Sequence, residues 1–193
     1  MSSTPANAEV PSPAIDRVVV VGTSGAGKST FARTLAARLD CPHVELDLIH
    51  WQSGWVERER PEFRAKVSQA IAVPKWIVDG NYVHARDLIW NRATTIIWLN
   101  YSFPIIFWRA LSRTVRRIVR RETILNGNRE TIGRSFFCRY GIPWWVVRTY
   151  RLRRREFSAM FAAGNYPHLR IIVFAHPADA ERFLAELPTA TGV

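Results

Sequence analysis

The residues Gly22-Thr23-Ser24-Gly25-Ala26-Gly27-Lys28-Ser29 fill every fixed position of the spacing G-x-x-x-x-G-K-[ST]. In a chain with only three lysines, such a match arises by chance about once in a thousand sequences, so the spacing carries information. The chemistry follows from residue type. Glycines let the backbone turn successive N–H groups inward around phosphate oxygens, and a helix opening at the end of the loop adds its positive N-terminal dipole. Gly22, Ser24, Gly25, Ala26, Gly27, Lys28, Ser29 and Thr30 are therefore the candidate ATP-binding residues. Lys28 would reach the β- and γ-phosphates, and the Ser29 hydroxyl would ligate Mg²⁺.

Two carboxylates are candidates to complete this chemistry. Asp79 ends the apolar run Trp76-Ile77-Val78 and suits a metal-binding carboxylate at a strand terminus; the alternative is a turn-forming Asp-Gly pair. Asp47 follows the run His43–Leu46 and could orient or deprotonate an acceptor hydroxyl, or else cap a helix or turn.

These residues need elements that bring them together. Short apolar runs at Arg17–Val21, His43–Leu46, Trp76–Val78, Thr94–Leu99 and Arg170–Phe174 read as strands of a parallel sheet covered on both faces. Helical patterns at Ser29–Leu39, Pro61–Val73, Ile105–Arg121, Pro143–Ala163 and Pro177–Leu187 alternate with them, three with proline near the first helical position. The run Val18–Val21 leads into the glycine loop, and Phe31, Leu35 and Leu39 lead out of it, giving the strand, loop and helix that the motif requires. The fold class expected is α/β.

At this point the chain resembles the DNA topology modulation (FlaR-like) P-loop proteins, which are similar to adenylate kinases and other small-molecule kinases. The residues carrying the resemblance are Gly22–Thr30, Glu45-Leu46-Asp47 with His50-Trp51 and Gly54-Trp55, Trp76–Tyr82, and Asn126-Gly127-Asn128-Arg129-Glu130. The resemblance implies a nucleoside-monophosphate-kinase-like P-loop fold: five parallel strands in order 2-3-1-4-5, helices on both faces, a helical acceptor-binding insertion and a lid. On this chain, residues 1–15 are expected to be a disordered tail and 16–193 a single domain. The insertion would span 48–74, and the arginine-rich helix and lid 109–142. Asp79 is followed by Gly80-Asn81-Tyr82, not the Gly-Phe-Pro-Arg of adenylate kinases, which argues against AMP as acceptor. Thr94 and Asn100 stand where relatives often carry Asp. The only nucleobase contact implied near His176-Pro177 is through backbone, and no N-K-x-D motif follows a strand, which disfavours a GTPase.

Charge is the unusual part of the composition. The 193 residues carry a net +11, yet the segment 109–155 holds 14 arginines against only Glu122 and Glu130, so the rest of the chain is nearly neutral. Arg109, Arg113, Arg116 and Arg120 recur at i, i+4, i+7 and i+11 on one helical stripe, with Phe107, Leu111, Val115 and Ile118 opposite. Only Glu122, at the end of the helix, offers these arginines an acidic neighbour, and arginines crowded at that spacing repel one another, so an anion is the economical explanation, a plain solvated face being the alternative. As phosphotransfer residues, Arg113, Arg116 and Arg129 would clamp the moving phosphoryl group beside Lys28, Asp47 and Asp79, and Glu122–Gly133 would be a mobile loop. Arg58, Arg60 and Arg64 could meet an acceptor anion. Trp51 and Trp55 could stack on a planar base or simply pack beneath a loop, and His50 and His84 read as structural.

The partner expected is a small-molecule acceptor. The competing class is an ATP-hydrolysing nucleic-acid-binding protein, suggested by Phe136, Phe137, Tyr140, Trp144, Trp145 and Tyr150 interleaved with arginines up to Arg151, Arg153, Arg154 and Arg155. A buried helical face through Val146, Tyr150, Phe157 and Phe161 explains the aromatics more simply. With 48% hydrophobic and 22% charged residues the chain is not a disordered one, and its length suits one domain. Cys41 and Cys138 suit reduced thiols in a cytoplasm. The N-terminus lacks a signal-peptide pattern, and the longest uncharged stretch, Ala93–Trp108, is too short to span a bilayer, so no membrane association is expected.

Overall fold

The computed structural model describes residues 15–124, 126–129 and 142–187, with Ile124, Arg129, Ile142 and Pro143 described by their backbone alone. The elements in chain order are β1 (Arg17–Gly22), α1 (Lys28–Leu39), β2 (His43–Glu45), α2 (Leu46–His50), α3 (Arg60–Ala70), β3 (Trp76–Asp79), α4 (Arg86–Trp90), β4 (Thr95–Leu99) and α5 (Phe103–Val119). A two-residue hairpin pair follows, β5 (Thr123–Ile124) and β6 (Asn128–Arg129), then α6 (Ile142–Ala162), β7 (Arg170–Phe174) and α7 (Pro177–Glu186). Single 3-10 turns occupy Ser53–Trp55 and Val83–Ala85.

Five strands form one parallel sheet in the order β2-β3-β1-β4-β7, which is 2-3-1-4-5 when only the parallel strands are counted. The alternating pleat explains why β1 carries four consecutive valines. Val18 and Val20 face one core with Phe31, Leu35, Ile97 and Ile106, whereas Val19 and Val21 face the other with Val67, Val78, Ile96 and Phe157. Each valine is fully buried, contributing about 1.5–3 kcal/mol. The edge strand β7 departs from the expectation of cover on both faces, since Ile171 and Val173 are exposed. Because the order reverses at β1, with β3 on one side and β4 on the other, a crevice opens beyond the carboxyl end of β1, where α/β sheets bind ligands.

The five expected strands and five long helices are present with shifts of at most three residues at their ends. Leu46 belongs to α2 instead of β2, because the strand ends where the chain turns to bury Leu46 under Gly80. The core face of α5 is Ile106, Ala110 and Thr114, and Val115, expected opposite the arginine stripe, is exposed. Asn126-Gly127-Asn128, expected within a mobile loop, closes the β5–β6 hairpin, with Asn126 and Gly127 at positive φ. The expected tail to residue 14, and Phe136, Phe137, Cys138 and Tyr140, lie outside the described residues. Among the described residues no helix is long and apolar enough to cross a membrane.

Candidate active site

The glycine loop lies where β1 meets α1, and α5 dictates why residue 25 must be glycine. A Cβ there would sit 2.8 Å from the Ile106 carbonyl oxygen and 2.9 Å from the Ala110 Cβ, and φ is +90°. α1 opens at Lys28 after Gly27, which provides no side-chain cap, so the first-turn N–H groups are turned toward the loop. Ala26 closes the turn by donating to the Thr23 carbonyl at 3.1 Å, and the Lys28 amine donates to the same oxygen at 3.4 Å. Burial pulls the Lys28 amine below its ordinary range, while the carboxylates of Asp47 and Asp79 act to raise it and Arg113 and Arg153 to lower it. A polyanion in the loop would restore the charge that burial disfavours. Ser24 is half-buried in the loop, and Thr30, the residue after Ser29, is exposed.

Four consecutive residues, Asp79 at the end of β3 and the three that follow it, each hold a different part of this site. Asp79, only 2% exposed, accepts a 3.0 Å hydrogen bond from the Ser29 hydroxyl through Oδ1 and contacts His43 Nε2 at 2.6 Å through Oδ2. Gly80 has φ +137°, and a Cβ would lie 2.9 Å from that of Leu46, so this close approach keeps β3 tight against α2. Asn81 spans the start of the phosphate loop, its Nδ2 donating to the Gly22 carbonyl at 2.6 Å and its Oδ1 accepting from the Gly22 N–H at 3.4 Å. The Tyr82 hydroxyl donates to Asp47 Oδ1 at 2.7 Å, and burial followed by the Asp47 charge pushes that phenol far above its usual range. Asp47 is thus held with one oxygen already oriented, near enough to Lys28 for its charge to act on that amine.

Glu45 joins these carboxylates. Burial, then the charges of Asp79 and Asp47, raise it above the ordinary carboxylate range. His43, Asn81 and Tyr82 had no assigned role in the sequence. His43 is brought beside Asp79 by register alone, since His43 pairs with Ile77 and Glu45 with Asp79. Ser29 and Asp79 are hard oxygen donors, which suits Mg²⁺; that ion commonly takes one or two protein oxygens and completes its shell with water and phosphate.

A cleft of about 520 Å³ continues from the loop, lined by Gly25, Gly27, Thr30, Arg109, Arg113 and Pro177 among others. The Arg109 guanidinium stacks 5.7 Å from the Tyr101 ring centroid. Arg109 and Arg113 therefore flank the loop, but Arg116 does not. It is exposed and lies 3.8 Å from Glu122, because α5 touches the loop at Ile106 and Ala110 and Arg116 stands about 9 Å farther along the axis. Arg153 is the member of the Arg151–Arg155 group that turns inward, bonding Glu156 at 2.9 Å, while Arg86 holds the same carboxylate at 2.7 Å. Arg154 meets the Tyr150 hydroxyl, and Arg151 and Arg155 are exposed.

Two of the insertion's arginines have partners: Arg58 donates to the Ile49 carbonyl and pairs with Glu62 inside the insertion, whereas Arg64 pairs with Asp87 of α4 outside it; Arg60 is exposed. His50 packs among Trp51, Phe63 and Tyr82, with centroids 4.7–5.6 Å apart, and Trp51 meets Trp55 edge-to-face at 5.6 Å. The Arg129 backbone pairs with Thr123 in the hairpin; its side chain and Glu130 lie outside the described residues.

No protein-family model matches the chain, and no curated protein sequence does. Solved structures do resemble it. A shikimate kinase from Bacteroides thetaiotaomicron has 16% identity and a TM-score of 0.51, covering 90% of this chain and 97% of that one. A shikimate kinase from Acinetobacter baumannii in complex with shikimate has 13% identity and a TM-score of 0.53, covering 89% and 90%. A gluconokinase from Sinorhizobium meliloti 1021 has 17% identity and a TM-score of 0.50, covering 90% and 93%. At these identities the likeness is one of fold: the chain has the α/β P-loop architecture that small-molecule kinases share.

Proposed function

We propose that the protein is an ATP-dependent phosphotransferase that moves the γ-phosphoryl group of ATP·Mg²⁺ to a hydroxyl of a small acceptor. The observation that carries this reading is the convergence of Lys28, the Ser29–Asp79 pair and the Tyr82-held Asp47 on one glycine loop. Kinase neighbours of the same fold support it. The residues Trp76–Tyr82 are part of the sequence resemblance to the FlaR-like proteins, which is compatible with this reading, and a cytoplasmic enzyme is the accompanying expectation.

Each residue then has a task. The loop N–H groups and Lys28 hold the β- and γ-phosphates, and Ser29 and Asp79 hold Mg²⁺, which would neutralise charge developing on them. Asp47 accepts the proton of the acceptor hydroxyl as its oxygen bonds to the γ-phosphorus; the bond from that phosphorus to the β,γ-bridging oxygen breaks, and ADP leaves with the electron pair. Arg109 and Arg113 border the cleft where charge gathers on the transferred group.

The test is ADP release across a panel of nucleosides, nucleotides, sugars and hydroxy acids. One acceptor class should stimulate release in the wild type, and Asp47→Asn should lose that stimulation while still binding ATP. Absence of stimulation by every small acceptor, with stimulation by single-stranded nucleic acid, would replace the reading by a nucleic-acid-dependent ATPase.

A further inference from the structure

The selective sequence block Asn126-Gly127-Asn128 does no work in the phosphate site. Its side chains cross instead to the loop that follows Asp47. Asn126 Nδ2 donates to the carbonyls of Leu48 at 2.9 Å and Trp51 at 2.6 Å. Asn128, buried to 4% exposure, donates through Nδ2 to the Gln52 carbonyl at 2.9 Å and accepts through Oδ1 from the Trp55 N–H at 2.8 Å. All four bonds span more than 70 residues of sequence and end on backbone atoms. They bracket a turn in which Gly54 and Trp55 both take positive φ, a conformation that a bulky residue keeps only when its surroundings impose it. Asparagine suits the task because its amide offers a donor and an acceptor on one planar head.

The other end of the hairpin is joined firmly to α5. Arg121 takes φ +49° and donates to Ile118, and Glu122 donates to Arg117, so the helix ends in a Schellman arrangement that leaves no slack before Thr123. Arg116 and Glu122 lie 3.8 Å apart across the same junction. Hence one continuous stretch begins at Arg109 and Arg113 beside the phosphate loop and finishes on the loop flanking Asp47.

We propose that Asn126 and Asn128 are positioning residues that fasten the acceptor-side loop 48–56 to the end of α5, so that nucleotide seated against α5 orders the acceptor side of the site. The coupling rests on the phosphotransferase reading; the fastening does not. It assigns the Asn-Gly-Asn block a role in acceptor binding without contact with the acceptor.

Hydrogen exchange separates the two parts. Without nucleotide, Asn128→Ala should speed exchange of the amides in 51–57 about tenfold or more, Trp55 above all, with the β1, β3 and β4 amides unchanged as a control for folding. Asn128→Asp, which keeps an oxygen for the Trp55 N–H, should give an intermediate rate. With ADP·Mg²⁺ as probe, exchange at 51–57 should slow in the wild type and not in Asn128→Ala, although the nucleotide binds both. Equal exchange at 51–57 in wild type and Asn128→Ala without nucleotide would overturn the fastening. Binding of ADP·Mg²⁺ to the wild type with no slowing at 51–57 would overturn the coupling. Failure of the wild type to bind ADP·Mg²⁺ would overturn the phosphotransferase reading and the coupling with it, while the nucleotide-free comparison still decides the fastening.

Discussion

The two halves of the candidate site are held in opposite ways. The phosphate half is built by contiguous backbone: β1, the glycine loop and the first turn of α1 occupy residues 17–31, and the turn is closed by its own Thr23 carbonyl. The acceptor half is a loop with only a five-residue helix of its own, fixed by side chains from distant elements, Tyr82 on Asp47 and Asn126 and Asn128 on 48–55. A local backbone device tolerates little change and binds a fixed group such as a triphosphate. A loop pinned by a handful of side chains can be repinned, which lets one fold serve different acceptors.

Substitutions can break that contrast. The largest effect should come from Lys28→Ala, which removes the loop's only amine: turnover should fall about 10³-fold, with ATP affinity measurably lost, as read by steady-state kinetics and calorimetry. Asp47→Asn comes next, lowering turnover about 10²-fold or more with ATP affinity largely retained, because Asp47 is bonded to Tyr82 and reaches the phosphate half only through its charge on Lys28. Tyr82→Phe removes the hydroxyl that orients Asp47 but leaves its carboxylate in place, so about a tenfold loss confined to turnover is expected. Along α5 the paired comparison is sharper: Arg113→Ala should cost about tenfold or more in turnover, whereas Arg116→Ala should stay within about twofold.

The smallest expected effect concerns pH and stability. Glu45 is raised above its ordinary range by burial and by the neighbouring carboxylates, so in the folded state its ionised form is disfavoured. The stability it contributes is therefore present below the unfolded carboxylate pKa and lost as pH rises through the higher folded value. Glu45→Gln should melt at nearly the same temperature as wild type in acid and at a higher temperature near neutral pH, as read from melting curves of the nucleotide-free protein. A difference that instead shrinks with rising pH would contradict the crowding of carboxylates around Ser29.

The same contrast explains what could be read from the chain. Residues 17–31 were legible because glycine spacing, a valine run and a helical pattern are all local signals. The sheet order came from the family resemblance and matches the observed pairing. Asp79 was legible from its place at a strand end, but its His43 neighbour was not, since cross-strand register between β2 and β3 leaves no periodic trace. The arginine stripe on α5 is real, yet spacing could not say where along its 17 residues the loop would touch, and so Arg116 was grouped with Arg113. Asn126 and Asn128 looked like residues of a mobile turn because turn chemistry dominates such short polar blocks; their partners lie more than 70 residues away.

The central claim is that Lys28 and its loop bind the triphosphate on which the acceptor half acts. Titration of ATP·Mg²⁺ into wild type and Lys28→Ala, both shown to be folded, tests it most directly. Saturable binding by the wild type that is lost or strongly weakened in Lys28→Ala is the expected result. Equal binding by the two proteins, or none by the wild type, would contradict it.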